Sequence, residues 1–105
     1  MLIVTTETIV GKEILEVKGV VRGSTVRSKH LGNDIAAAFK NLAGGELNSY
    51  NDMLTEARQI AIGRMVEDAE AKGANAIVGM RLMSSSVMSG AAEMVAYGTA
   101  VVIND

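Results

Sequence analysis

The chain of 105 residues is long enough for one hydrophobic core and too short for two. Lysine and arginine number 10 and aspartate and glutamate 12, for a net charge of −2, and this balance argues against nucleic-acid binding, which needs clustered cations. Cysteine is absent, which excludes disulfides, a thiolate nucleophile and cysteine-based zinc or iron–sulfur sites.

The first part of the chain predicts two strands. Residues 2–5 are apolar and β-branched and predict a short strand, which a turn near Gly11 follows. Residues Ile14–Ser28 are rich in valine and predict a second strand, in which Gly19 and Gly23 indicate bulges or a close approach of backbone. Neither face of this strand is purely apolar, so we expect it at an edge or an interface.

Two helices are predicted next. The first begins at Asn33 or Asp34, whose side chains can cap a helix N-terminus, and it runs to Leu42. The pair Gly44-Gly45 ends it, since glycine adopts the left-handed cap conformation without steric cost. A polar connection over residues 46–52 then leads to the second helix.

The second helix, from about Asp52 to Lys72, is the clearest element of the sequence. Its apolar residues recur at three- and four-residue steps and predict a buried stripe formed by Leu54, Ala57, Ala61, Met65 and Ala69. The predicted outward positions are polar, namely Glu56, Gln59, Glu67 and Glu70. Lys72 complements the helix dipole, and Gly73 supplies the C-terminal cap.

Two further strands, Ala76–Met88 and Glu93–Ile103, are separated by Ser89–Ala92, which has the composition of a hairpin turn. Both faces of the last strand are apolar, as expected when a strand is covered on two sides, by helices on one and a neighbouring subunit on the other. The pattern predicts an α+β fold in one domain, residues 1–105. We expect an antiparallel sheet of about four strands with two helices packed on one face.

The composition also bears on assembly and location. Aromatic residues make up 3% of the chain although 49% is apolar, so small aliphatic side chains and seven methionines must fill the core. A short chain of this kind tends to bury apolar surface against copies of itself, so we expect a homo-oligomer. The N-terminus lacks signal-peptide features and no segment approaches the roughly 18 apolar residues of a spanning helix, so we expect a cytoplasmic protein without membrane insertion.

The stretch Gly73-Ala74-Asn75-Ala76-Ile77-Val78-Gly79, the later Tyr97-Gly98-Thr99-Ala100-Val101 and the Gly44-Gly45 pair resemble the YbjQ-like family of uncharacterised bacterial and archaeal proteins. The resemblance extends from about Ile3 to Ile103. It implies an α+β fold assembled as a homo-oligomeric ring, a pentamer, and it brings the family's label "putative heavy-metal-binding". The matching residues are glycines and small packing residues, so they indicate a fold and not a chemistry.

The methionines and the single histidine are the side chains of this sequence that could bind a soft metal ion. Met80, Met83, Met88 and Met94 lie near one another on the final hairpin, and thioethers can bind Cu(I), but methionines on apolar strands more often fill core gaps, which is the interpretation we favour. The single histidine, His30, can form a multi-ligand site only if copies converge on a ring axis. Its cationic neighbours oppose this, so we assign no metal ligand.

Positive charge concentrates along the second predicted strand and just after it, at Lys18, Arg22, Arg27 and Lys29. Repeated around a ring, these side chains would form a positive annulus suited to an anion, a nucleotide or an acidic lipid head group. The alternative, which we favour, is that they are solvated or form ion pairs between subunits, with Glu13 and Glu16 as candidate partners.

No catalytic constellation is recognised in the sequence. It contains no phosphate-binding or dinucleotide-binding glycine motif, and Ser84–Ser86 lack the context of a nucleophile elbow. The acidic residues at the end of the long helix, Glu67, Asp68 and Glu70, are interpreted as a solvated face, with Arg64 paired to Glu67 or Asp68.

Two arginines are harder to interpret. Arg58 has no acidic partner at helical spacing, and its role stays open. Arg81 lies in an apolar strand, where we expect an inter-subunit or helix-end ion pair, with contact to a ligand as the alternative.

The leading hypothesis is therefore a non-enzymatic cytoplasmic homo-oligomer that binds a small ligand or metal ion at subunit interfaces or on the ring axis. The competing hypothesis is a structural or protein-interaction ring without a small ligand. A third is an enzyme whose site is shared between subunits. The cofactor and the site residues stay open.

Overall fold

A four-stranded mixed sheet and one long helix make up the part of the chain that the computed structural model describes, residues 1–28 and 45–105. In chain order the elements are β1 (Leu2–Ile3), β2 (Ile14–Ser28), α1 (Gly45–Ala71), β3 (Ala76–Met88) and β4 (Ala91–Ile103). The strands lie in the order β1-β3-β4-β2, so β4 is central and β2 is an edge strand. The predicted α+β class is confirmed.

The prediction of an antiparallel sheet is wrong at one pairing, because β1 runs parallel to β3, with Leu2 opposite Ala76. The pairing continues beyond β1, where the Val4 amide donates to the Ile77 carbonyl at 2.9 Å and the Met80 amide donates to the Val4 carbonyl at 3.0 Å. A strand's own residues show that it is apolar but not which neighbour it pairs with, so the direction of β1 was not readable from the sequence.

The helix begins at Gly45, so residues 46–52, predicted as a connection, form the first turns of α1. Hydrophobic periodicity reports burial of one face and not helicity itself, and this stretch contains good helix formers such as Glu46 and Leu47. Gly45 is therefore the first residue of α1. The first predicted helix, from Asn33 or Asp34 to Leu42, lies outside the described residues, so the described part contains one helix and not two.

The core lies between α1 and one face of the sheet. The predicted stripe is confirmed at Ala57, Ala61, Met65 and Ala69, which are buried, whereas Leu54 is half-buried. The stripe packs against residues of β2, β3 and β4, namely Val21, Ile77, Met94, Ala96 and Ala100. Most of these side chains are small, and they let the helix approach the sheet closely.

The closest approach is at Gly23 in β2. A Cβ atom built on this glycine would lie 2.1 Å from the carbonyl oxygen of Ala61 and 2.3 Å from the amide nitrogen of Met65. The predicted close approach of backbone is thus confirmed here, and the helix rests directly on the strand.

Polar side chains of α1 satisfy the free edge of β2. Arg64 Nη1 donates to the Ser24 carbonyl at 2.7 Å, and the Arg22 amide donates to Asp68 Oδ2 at 3.3 Å. The predicted pairing of Arg64 with an acidic residue of its own helix is therefore wrong, because the unpaired carbonyl of an edge strand lies within reach. Further along, Glu56 forms an ion pair with Arg27. The edge is covered by helix side chains, one of the ways in which proteins protect edge strands.

The helix ends in the hydrogen-bond pattern of a Schellman motif. The Gly73 amide donates to the Glu70 carbonyl at 3.0 Å and the Ala74 amide to the Ala69 carbonyl at 3.1 Å, while Gly73 has a φ of +79°. The predicted cap at Gly73 is confirmed.

The turn between β3 and β4 is shorter than predicted. Because β4 begins at Ala91, only Ser89 and Gly90 lie in the turn.

A smaller apolar cluster lies on the other side of the sheet, at the end near β1. Ala76, Val78, Val101 and Ile103 are buried there under residues of the N-terminal segment, namely Val4, Ile9 and Ile14. Beyond this cluster the face is open, and the chain has principal-axis extents of 53 × 22 × 15 Å.

Two glycine-to-alanine changes should have opposite effects on stability. Gly23→Ala places a methyl group against the α1 backbone and should lower the free energy of unfolding by roughly 1–3 kcal/mol or more. Gly63→Ala, at a helical position where an added Cβ meets nothing within 4 Å, should raise it by about 0.5–1 kcal/mol. Urea denaturation of both variants measures the two shifts, and a neutral Gly23→Ala would contradict the close approach.

The Asp68 carboxylate should make stability depend on acid pH. Its pKa is lowered, first by the hydrogen bond from Lys72 at 2.6 Å and then by the bond from the Arg22 amide. Because the folded-state pKa lies below the unfolded one, the stabilisation is present above about pH 4 and is lost as the pH falls through the folded pKa. The stability difference between wild type and Asp68→Asn should therefore shrink below pH 4. A difference constant from pH 7 to 3 would contradict this.

Candidate functional site

The candidate site is the side of the sheet that faces away from α1, called here the open face. Side chains alternate along a strand, so the residues next to the buried Met94 and Ala96 of β4 point to this side. The strand register assigns neighbours on β2 and β3 to them. The residues beyond the smaller cluster are Val20, Arg22, Ser24, Val26, Arg81, Met83, Ser85, Glu93, Val95, Tyr97 and Thr99.

The open face carries exposed apolar side chains among polar and charged ones, and no described residue covers it. Val20 is 71% exposed, and Val26 and Met83 are each 57% exposed. Val95, on the central strand between them, is half-buried. Val95 lies directly opposite Met83 and diagonally to Val26, so these three form a small apolar patch of the kind found at interaction surfaces, while Val20 lies beyond Arg22.

A row of three side chains crosses the middle of this face. Arg22 of β2 and Arg81 of β3 both lie directly opposite Tyr97 of β4, so the phenol is flanked by two arginines. Side chains in such positions have Cβ atoms about 4.5–5.5 Å apart. The Tyr97 residue is 37% exposed, so its ring is accessible from the open side.

The two arginines have different environments. Arg81 Nη1 donates to the Thr5 carbonyl at 2.9 Å and to the Met80 carbonyl at 2.8 Å, beside the irregularity between Val78 and Arg81 that interrupts the ladder. The helix-end ion pair predicted for Arg81 does not form within the described chain, because its guanidinium satisfies two carbonyls instead. The alternative pair between subunits stays a prediction. The Arg22 side chain forms no hydrogen bond or ion pair with another described residue.

The other predicted cations are mostly neutralised. Lys18 pairs with Glu16 at 2.7 Å and Arg27 pairs with Glu56 of α1, so both form ion pairs within the chain. Lys29 lies outside the described residues. Arg58, whose role was open, donates to Thr55 Oγ1 at 3.1 Å on its own helix. Arg22 is therefore the member of the predicted annulus that forms no salt bridge with a described residue, although its charge helps to lower the pKa of the Asp68 carboxyl.

The four methionines of the hairpin do not form one cluster. Met94 is buried and Met80 packs against the same core, so the gap-filling interpretation is confirmed for both. Met83 and Met88 are exposed, and five residues of strand place them roughly 15 Å apart, too far to share one ion within a subunit. The predicted divergence of Met80 and Met83 is confirmed.

The remaining candidates give no metal or catalytic centre. His30 lies outside the described residues. In residues 1–28 and 45–105, no three histidine, aspartate or glutamate side chains are placed to hold a metal ion together. Ser84–Ser86 are exposed on β3, where Ser86 Oγ donates to the Met88 carbonyl at 3.3 Å. Across the described ranges, no helix is long and apolar enough to cross a membrane.

The stretch after α1 acts as a structural joint, and Asn75 is its centre. The Asn75 amide group donates to the Ile103 carbonyl at 2.9 Å, and its Oδ1 accepts from the Ile103 amide at 2.8 Å. The Asn75 backbone amide also donates to the Val101 carbonyl at 3.0 Å. Sequence reasoning missed this role, although an asparagine held between a helix cap and a strand start was a usable signal.

Comparisons with known proteins agree on the fold. The YbjQ family model, described as "Putative heavy-metal-binding", matches residues 1–104. A protein of Clostridioides difficile named as a UPF0145 protein is 73% identical over 105 residues, covering 100% of this chain and 94% of its own length. A UPF0145 protein of Clostridium perfringens is 72% identical, with 100% and 99% covered.

Among solved structures, a protein from Pediococcus pentosaceus is similar, with a TM-score of 0.63, 20% sequence identity, and 99% of this chain and 98% of that chain covered. It is described as a protein with unknown function of the DUF74 family. At this identity the similarity shows the fold alone.

The paired hydrogen bonds of Asn75 predict an asymmetry between two asparagines. Asn75→Asp should lower the free energy of unfolding at pH 7 by about 1–3 kcal/mol, because a carboxylate cannot donate to the Ile103 carbonyl. Asn104→Asp should cost little, since Asn104 Oδ1 only accepts, from the Glu13 amide at 2.8 Å. Protonation restores a donor, so the Asn75→Asp deficit should shrink below about pH 4. Equal costs in urea denaturation would contradict this assignment.

Proposed function

We propose a function from the premise that this chain belongs to the YbjQ family, whose model matches residues 1–104. In this proposal the protein is a cytoplasmic, non-enzymatic homo-oligomer. It assembles as a pentameric ring and binds a small anionic ligand at its subunit interfaces. The observation that carries this proposal is the open face, an exposed apolar surface with the Arg22–Tyr97–Arg81 row across its middle.

The shape of the chain supports association. Its radius of gyration is 17.1 Å, whereas a compact domain of this length has about 13 Å. Its accessible surface is 6456 Å², against roughly 5,600 Å² for a compact monomer of this mass. Burying the open face against a neighbouring copy would remove apolar side chains such as Val20 and Met83 from water, which is favourable.

The donor set of the described residues does not fit a heavy-metal centre. Soft metals prefer thiolate, thioether or imidazole ligands, and the chain has no cysteine. The exposed thioethers of the described residues are Met1, which precedes the residue paired with the start of β3, and Met83 and Met88, which are separated along the second half of that strand. No mechanism is therefore derived through a bound metal. The family label stays a description of the family.

An anion fits this surface better. The Arg22 guanidinium forms no salt bridge with a described residue, Arg81 lies in the same row, and Tyr97 offers a hydroxyl group between them. Enclosure of this row by a neighbouring subunit would lower the local dielectric and strengthen the attraction for a carboxylate or phosphate group.

A structural ring without a small ligand is the second candidate. The family fingerprint favours it, because its residues serve the fold: Gly73 caps α1, Asn75 joins β3 to β4, and an added Cβ at Gly98 would lie 2.7 Å from Ile77 Cγ2. Each of these residues has a structural role, and none of them lies free to bind a ligand.

Native mass spectrometry of freshly purified protein, without added metal or chelator, tests the assembly and its ligand together. A five-subunit mass with excess mass from an organic or inorganic anion supports the proposal. A bare five-subunit ring supports the structural alternative, and a bound metal ion contradicts the exclusion of a heavy-metal site. A monomer contradicts the ring.

Thermal unfolding with inorganic phosphate, citrate, Zn²⁺ and Cu(I) tests the site itself. A ligand that prefers the native state raises the melting temperature, by about 2.7 kcal/mol of stabilisation at 100 times its Kd. We expect a rise with an anion, lost in Arg22→Gln and kept in Lys18→Gln, since Lys18 is already paired with Glu16. Equal responses of the two variants would contradict a site at Arg22.

A further inference from the structure

Most of the sheet's free edges are protected. Register shifts between Ile14 and Glu16 and between Val17 and Gly19 bend the start of β2, and side chains of α1 satisfy its middle. On the opposite edge, the N-terminal segment pairs with β3 up to Met80. Bulges, charges and covering segments are the usual ways in which native sheets avoid edge-to-edge association.

The second half of β3 has little of this protection. The segment Leu82–Met88, called here the outer edge, carries no charge and no proline. Its four apolar side chains are between 40% and 62% exposed, and no described residue pairs with its backbone on the side away from β4. Its one irregularity, between Ser86 and Met88, lies at the far end. An exposed apolar edge of this kind is a template for another strand.

We propose that the outer edge pairs with the outer edge of a second copy of this chain, antiparallel and about a two-fold axis near Ser85. The described part of each chain leaves one edge unprotected, so two copies can satisfy their edges together only by an isologous contact. The contact joins two four-stranded sheets into one continuous sheet of eight strands.

The composition of the outer edge is self-complementary. Three serines, Ser84–Ser86, lie between two apolar pairs, Leu82-Met83 and Val87-Met88. Antiparallel pairing centred on Ser85 therefore places apolar residues opposite apolar residues and serines opposite serines. No like charges meet across the axis, and like charges directly opposite would destabilise the pair.

This contact is made by the backbone of the sheet edge, whereas the proposed ring buries side chains of the open face, and Met83 and Ser85 belong to both surfaces. A substitution at Val20, on the opposite edge strand, therefore disturbs the ring alone. Together the two contacts would join two rings and double the mass of the assembly. Either contact alone leaves a ring or a two-fold dimer, and native mass spectrometry distinguishes these products.

A cysteine at the axis tests the contact directly, because the chain contains no other. In Ser85→Cys, two copies of residue 85 should face each other with Cα atoms about 4.5–5.5 Å apart, within the range of a disulfide. We expect a disulfide-linked dimer under mild oxidation at micromolar concentration. Gln59→Cys, exposed on α1, serves as the control and should remain largely uncross-linked.

A failure of the ring is separated from a failure of the edge contact by a second substitution. Val20→Lys places a charge on the open face and should leave the Ser85→Cys cross-link intact. Equal cross-linking of residues 59 and 85, or none at 85, overturns the edge contact.

Charge complementation provides a second measurement. Ser85→Lys and Ser85→Glu should each halve the mass of the assembly, because like charges meet at the axis, and a one-to-one mixture should restore the full mass. Circular dichroism and urea denaturation confirm that both variants fold. A mass unchanged in Ser85→Lys, or no recovery in the mixture, overturns the proposal.

Discussion

The rest of the structure depends on the direct contact between α1 and β2 at Gly23. Because a Cβ at this position would lie 2.1 Å from the Ala61 carbonyl, the helix can rest on the strand only when the residue is glycine. That short separation brings Arg64 and Asp68 within reach of the backbone of β2, so the same contact that forms the core also covers the edge of the sheet. The helix thus shields one face and one edge, and beyond the smaller apolar cluster no described residue covers the opposite face.

The residues that identify the family serve the backbone and not a reaction. Gly73 takes the cap conformation, and Asn75 exchanges two hydrogen bonds with Ile103. A residue whose polar groups already form such hydrogen bonds is not available to bind a metal ion or to transfer a proton. The heavy-metal label finds no matching donor set in the described residues, and the side chains available for recognition are instead on the open face, with Arg22 the clearest among them.

The two proposed contacts both use parts of the sheet that the described residues leave uncovered. Among the described residues, the 27 residues of α1 pack over β2 and β4 and cover neither the open face nor the far half of β3. The exposed apolar side chains there lie on two kinds of surface. A sheet face packs against another surface through its side chains, whereas a strand edge pairs through its backbone. For that reason one surface is assigned to the ring and the other to a two-fold contact.

The sequence by itself determined the elements that have a local cause. The stripe of α1, the cap at Gly73 and the strands β2 to β4 were predicted because periodicity and glycine positions act over a few residues. The predicted start of α1 was wrong, because the polar residues 46–52 were interpreted as a loop. Only the tertiary structure decided the parallel pairing of β1, the Arg81 bonds to carbonyls, the Arg64 bond to Ser24 and the Arg22–Tyr97–Arg81 row. These depend on residues that are distant in the chain, and no local pattern records which of them will meet.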